Sequence, residues 1–320
     1  MGEQHIGVAA MGGDSNDVVS RIEELERLGI SAAWLTTGGA GLDGITVFAA
    51  AAVRTESILL GTCITPTYPR HPITAVQQVQ VVAQLAPGRF RLGLGPSHKV
   101  SIEPTYGIEH TAPLTNLREY IQVVKSLLWE GSVDFDGTQY HAHTSLRGTD
   151  PIPDVPVMAS ALRRRAFTTC GEVADGAISW VCPSQYLQDV ALPAMEAGAQ
   201  KAGRETPPLI AHIPVCVHDD MDEARNAAKE QLATYPRSPF YQQMFVESGH
   251  PEAREGVWSD SMIDDVAVMG SEDDVVSGLR RILDWGATEI IAHPVTAGDD
   301  AQASMQRTLE AVANADQSLR

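Results

Sequence analysis

Residues 58–72 read Ile58-Leu59-Leu60-Gly61-Thr62-Cys63-Ile64-Thr65-Pro66-Thr67-Tyr68-Pro69-Arg70-His71-Pro72. The first seven form an apolar, uncharged run, the filling expected of a strand buried on both faces. Three prolines then turn the chain, and Pro72 stands at the first position of a helical pattern, where its missing N–H costs nothing. A buried strand leading into a helix is half of a βαβ unit, and the same alternation recurs along the chain. It predicts eight strands, at residues 5–10, 32–37, 58–64, 90–96, 155–160, 176–181, 209–217 and 289–295.

The intervening helices carry their own punctuation. Asp14 or Asn16 can cap the first, Val18, Ile22, Leu25 and Leu28 form its apolar stripe, and Gly29 ends it. In the last crossover Ser271 and Asp274 form a capping pair, Val275, Leu279 and Ile282 face inward, and Gly286 stops the helix. Eight such units can close into a (β/α)8 barrel, which removes the edges that an open parallel sheet must cover. A doubly wound open sheet is the alternative. It is disfavoured because Gly93-Leu94-Gly95-Pro96-Ser97-His98 lacks the third glycine of a dinucleotide fingerprint. The stretches 132–154 and 234–262 exceed ordinary loops. They are expected to be insertions in a single domain spanning 1–320, placed after the fourth and seventh strands to wall or lid the substrate space.

Composition narrows the function. The chain has 320 residues, 43% of them hydrophobic, enough for a sizeable core. Its 23 basic and 41 acidic residues give a formal charge of -18, which repels nucleic-acid backbones and anionic lipid surfaces. Cys63, Cys170, Cys182 and Cys216 are widely spaced and indicate neither a disulfide framework nor zinc. With no charged leader and no long apolar stretch, a cytoplasmic protein is expected. His141 and His143 share a strand face but have no evident third ligand, so no metal site is predicted.

Residues 61–72, taken with Gly88-Arg89-Phe90-Arg91-Leu92-Gly93-Leu94-Gly95-Pro96-Ser97-His98-Lys99, resemble the luciferase-like oxidoreductases, and in particular their branch that uses the deazaflavin coenzyme F420. Ala174-Asp175-Gly176 and the hairpin-like segment near residues 133–143 extend the resemblance over nearly the whole chain. It implies a barrel that binds the ring against a non-prolyl cis peptide, here Cys63–Ile64. Gly95 and Ser97 would let the backbone approach the ring, and Thr36 and Thr37 could hydrogen-bond it. Ala159, Ser160 and Ala161 would cradle the coenzyme phosphate beside Arg163, and Ser179 would reach the coenzyme tail.

A helix start carrying Arg163, Arg164 and Arg165 is unfavourable for the helix dipole unless an anion sits there. His98 is the acid–base candidate, because it occupies the place of an acidic catalytic residue in related sugar-phosphate dehydrogenases and titrates near working pH. Thr36-Thr37-Gly38 departs from the polar pair common at that strand end, which argues against sugar-phosphate oxidation. The expected activity is hydride transfer from reduced F420 to a C=C or C=N bond of a small organic molecule, by a homodimer. An FMN-dependent monooxygenase and a non-catalytic coenzyme-binding barrel are the alternatives, with an ordinary nicotinamide enzyme a remote one.

Overall fold

The computed structural model describes residues 4–320. The barrel strands are β1 (His5–Ala9), β2 (Ala32–Leu35), β3 (Leu59–Thr62), β5 (Phe90–Gly95), β8 (Val157–Ser160), β9 (Ala177–Trp180), β10 (Leu209–Val217) and β12 (Glu289–Pro294). Each is parallel to its neighbours, and pairing of β1 with β12 and of β9 with β10 closes the ring. All eight expected strands are present, one or two residues shorter at several ends, and closure rules out the open sheet. Two short strands extend the sheet at the C-terminal rim. β4 (Thr65–Pro66) pairs with Leu94 and Gly95, while β11 (Val268–Gly270) takes up Val215 to Val217 of β10.

The helix signals act as read. Asp14 accepts from the N–H groups of Asn16 and Asp17, and Gly29 sits at φ 76°. Ser271 and Asp274 form a reciprocal capping box. Val18, Ile22, Leu25, Val275, Leu279 and Ile282 are buried between helices and barrel, and Leu28 is partly buried. A separate cluster fills the barrel interior, with Trp34, Met158, Ile178, Ile210 and Ile291 at its centre.

Below that cluster, near the N-terminal ends of β5 and β12, Arg91 grips Glu289 through two bonds of 2.5 and 2.9 Å. Trp34 Nε1 donates to the same carboxylate at 3.2 Å, and the guanidinium lies 4.3 Å from the Trp34 ring centre. At the end of the last helix (Ala301–Gln317), buried Asp316 accepts from Ile6 N–H at 2.8 Å and from Ser31 N–H at 2.8 Å. It thereby ties the end of the chain to the first two strands.

Residues 132–154 contain an antiparallel hairpin of β6 (Ser132–Asp136) and β7 (His141–Ser145). Its turn is fixed by Glu119, which accepts from the N–H groups of Thr138, Gln139 and Tyr140 and from the Thr138 hydroxyl. Burial alone would raise the pKa of Glu119, but these bonds outweigh it and leave the carboxyl below its usual range. Residues 234–262 fold into short helices, chiefly Pro239–Glu247 and a turn at Tyr235–Arg237. Among the described residues no helix is long and apolar enough to cross a membrane.

Candidate active site

A cavity of about 1670 Å³ opens at the C-terminal ends of the strands. Its first wall is the turn after β3. The Cys63–Ile64 peptide is cis. Thr36 Oγ1 donates to Cys63 O at 2.9 Å, Thr37 N–H donates to Ile64 O at 3.1 Å, and Cys63 N–H donates to Leu35 O at 2.7 Å. Residues just past β2 therefore hold this turn. Thr37 Oγ1 also accepts from Gly44 N–H at 2.9 Å, leaving its own hydrogen free to donate. Burial pushes the Cys63 thiol up to about 12, opposed only by its contact with Thr36, so it stays protonated.

The second wall follows β5. Ser97 takes the left-handed conformation at φ 56°, which turns the chain so that both Ser97 and His98 line the cavity. Burial, with the neighbouring His110, lowers the pKa of His98, whose ring lies 6.0 Å from that of Tyr241.

The third wall is the N-terminus of the helix Arg164–Val173. Its cap residue is Arg163, no side chain accepts from its first N–H groups, and its first turn has no acidic residue. Arg163, Arg164 and Arg165 all line the cavity. Arg163 Nη2 is held by Glu247 at 2.7 Å, while its Nε is buried without a partner. Open N–H groups, concentrated positive charge and an orphaned guanidinium nitrogen fit a phosphate.

Thr36, Thr37, Cys63, Ile64, Ser97, His98, Ser160, Ala161, Arg163 and Ser179 therefore share one cavity. Ser179 is fully buried and its hydroxyl donates to Ile210 O at 3.4 Å. Two expected residues lie elsewhere. Ala159 is enclosed in β8, paired with Leu94 and Ala177, because alternate residues of a barrel strand face the helices. Gly95 lies behind the wall, where a Cβ would collide with Ser160 Oγ and approach Ile64 Cδ1 to 2.9 Å.

The insertions divide in the same way. Tyr235, Phe240, Tyr241 and Glu247 from the second line the cavity. The hairpin does not, and instead braces the β3 turn from outside. Asn116 Nδ2 donates to Tyr140 Oη at 2.9 Å, Tyr140 Oη to Thr67 O at 3.2 Å, and Thr67 Oγ1 to Asn116 Oδ1 at 2.6 Å. Asp175 of the Ala-Asp-Gly motif is likewise structural, accepting from Val157 N–H at 2.8 Å and Lys125 Nζ at 2.6 Å.

The sequence reading missed His212 and His293, yet both line the cavity together with Trp180. A signal was available. Ile178-Ser179-Trp180, Ile210-Ala211-His212 and Ile291-Ala292-His293 repeat one pattern, and the isoleucines belong to the interior cluster. A period of two then places Trp180 and both histidines one layer higher, at the mouth.

A closed parallel barrel whose strand ends surround one large cavity, with an anion-ready helix terminus on its rim, is the layout of α/β-barrel enzymes. A family model described as luciferase-like monooxygenase matches residues 2–289, and the chain belongs to that family. It is 27% identical over 295 residues to 5,10-methylenetetrahydromethanopterin reductase of Methanolobus tindarius, covering 83% of this chain and 86% of that one. It is 34% identical over 203 residues to the F420-dependent glucose-6-phosphate dehydrogenase of Beutenbergia cavernae, covering 60% and 58%. The coenzyme F420-dependent tetrahydromethanopterin reductase of Methanopyrus kandleri superposes with a TM-score of 0.80 at 24% identity, over 99% of both chains.

Proposed function

We propose that this protein is an F420-dependent reductase that delivers hydride to a C=C or C=N bond of a small organic acceptor. The observation that carries the reading is the union, in one cavity, of the Cys63–Ile64 turn, held by Thr36 and Thr37, and the uncapped arginine-bearing helix terminus. The first presents Ile64 as an apolar backing for a ring and the second a seat for the phosphate of the same molecule. The relatives named as F420-dependent support the choice of coenzyme.

Bound there, reduced F420 supplies a two-electron hydride donor. Ile64 and Ser97 back the ring, and the Thr37 hydroxyl hydrogen-bonds it. Ser160, Ala161 and Arg163 hold the phosphate, while Ser179, fully buried with its hydroxyl on Ile210 O, supports the strand end behind them. Of the two residues outside the cavity, Gly95 keeps its wall thin and Ala159 serves as packing. His98 gives a proton to the acceptor atom that does not receive hydride, and its place in the cavity favours catalysis over binding alone. Thr36 and Thr37, where related enzymes carry a polar pair, weigh against a sugar-phosphate substrate.

The protein is read as one cytoplasmic domain, its four free, buried cysteines fitting a reducing compartment. Val53, Val81 and Leu85 are exposed beside the helices Gly44–Ala52 and Pro72–Leu85 and offer an apolar face for a second copy of the chain.

The test is a side-by-side titration of purified protein with F420 and FMN. Tight binding of F420 alone supports the reductase. A preference for FMN moves the case to the monooxygenase that the family description names, and binding of neither removes the site assignment.

A further inference from the structure

Among the described residues, the formal charges lining the cavity are confined to Arg163, Arg164, Arg165 and Glu247. Trp180 of β9, His212 of β10 and His293 of β12 form a different surface. The Trp180 ring lies 4.1 Å from that of His212 and 4.9 Å from that of His293, and the two imidazoles are 5.6 Å apart. His212 is only 4% exposed. Its Nε2 and His293 Nδ1 are buried with no protein partner among the described residues. Burial, then His293, pushes the pKa of His212 down, and burial brings His293 to about 4, so both rings are neutral at physiological pH.

An orphaned buried ring nitrogen is costly, and two side by side beneath an open cavity call for an occupant. Two neutral imidazoles can each donate one hydrogen bond and accept one. Among the described residues, no lysine, arginine or carboxylate is hydrogen-bonded to either free ring nitrogen. Resting on the F420 reading for the Cys63–Ile64 and Arg163 walls, we infer that His212, His293 and Trp180 form the acceptor subsite and recognise an uncharged hydrogen-bonding head. A carbonyl or imine conjugated to the bond being reduced has that chemistry, and a carboxylate or phosphate does not.

The test uses the full chain with isotope-labelled histidine, and NMR of the ring resonances assigned through His212→Gln and His293→Gln. The probes are cyclohex-2-en-1-one and cyclohex-1-ene-1-carboxylate, matched in ring size and differing in charge. The enone should shift both ring signals, with affinity lowered about tenfold in His212→Leu and largely kept in His212→Gln, which retains a donor and an acceptor. Thermal unfolding and an F420 titration of each variant confirm an intact fold and an intact coenzyme end. Equal or stronger shifts with the carboxylate overturn the inference, as does an enone that leaves both rings unmoved. Either result with F420 still bound spares the coenzyme reading, and failure of F420 binding alone leaves the ring shifts to be judged by themselves.

Discussion

Replacing Glu289 by alanine removes both acceptors of the Arg91 guanidinium and the acceptor of Trp34 Nε1 in one step. Arg91 is 8% exposed and Glu289 5%, so water cannot substitute without opening the barrel floor. Deleting one partner of a buried pair costs about 3–5 kcal/mol, because the other charge is left uncompensated. Unfolding entropy of roughly 2.1 cal/mol/K per residue, taken over the chain length, converts that loss into a fall in Tm of about 4–8 °C. Glu289→Gln keeps the shape and one carbonyl acceptor and should fall less. The double change Arg91→Met with Glu289→Leu removes both charges and should recover most of the loss. The assay is urea unfolding and calorimetry of the four proteins. A fall below about 1 °C for Glu289→Ala, or a double variant no better than the single, would refute the claim that the carboxylate anchors the guanidinium. Arg91 and Glu289 do not themselves line the cavity, so any change in F420 affinity should pass through Trp34, which does.

Other expectations concern the site. Burial lowers the pKa of His98, so the ring is neutral at pH 7 and gains its proton only below its ordinary value of 6.5. If it is the acid, kcat/KM with F420 rises as pH falls through that pKa, and His98→Asn flattens the profile; a slope retained in the variant assigns the proton elsewhere. Ser160→Asp sets a carboxylate against the coenzyme phosphate and should weaken F420 binding by at least about tenfold, as read by fluorescence titration. Gly95→Ala forces a methyl against Ser160 and Ile64 and should cost about 1–3 kcal/mol in urea unfolding while weakening F420 binding. If the proposed apolar face pairs two copies, Val81→Glu should lower the sedimentation coefficient in analytical ultracentrifugation, and an unchanged value would remove that face from consideration.

The barrel was legible because its signals are local. Alternating apolar runs, the Asp14 cap and the Ser271–Asp274 box each need only a few neighbouring residues. The short β4 and β11 were not, since two or three residues carry no periodicity and form by pairing with strands distant in sequence. The walls at Cys63–Ile64, Ser97–His98 and Arg163 were recognisable as motifs. Ala159 was misplaced because a motif names neighbours in sequence, whereas a strand sends alternate residues to opposite faces. The same rule, applied to Ile210 and Ile291, would have exposed His212 and His293. The hairpin was recognised as a hairpin, but its position depends on Glu119, Asn116 and Tyr140, whose bonds no local pattern announces.

Asp316 has a consequence for how the chain is made. The N–H of Ile6 finds its side-chain acceptor 310 residues later, and β1 finds its closing partner only at β12. On the ribosome the first strand therefore emerges long before either exists, with one edge unpaired and apolar side chains uncovered. Contacts of such sequence separation slow folding and lengthen the time during which nascent chains can associate. Truncation before β12 should therefore leave the N-terminal strands as a binding target for chaperones rather than a smaller folded barrel.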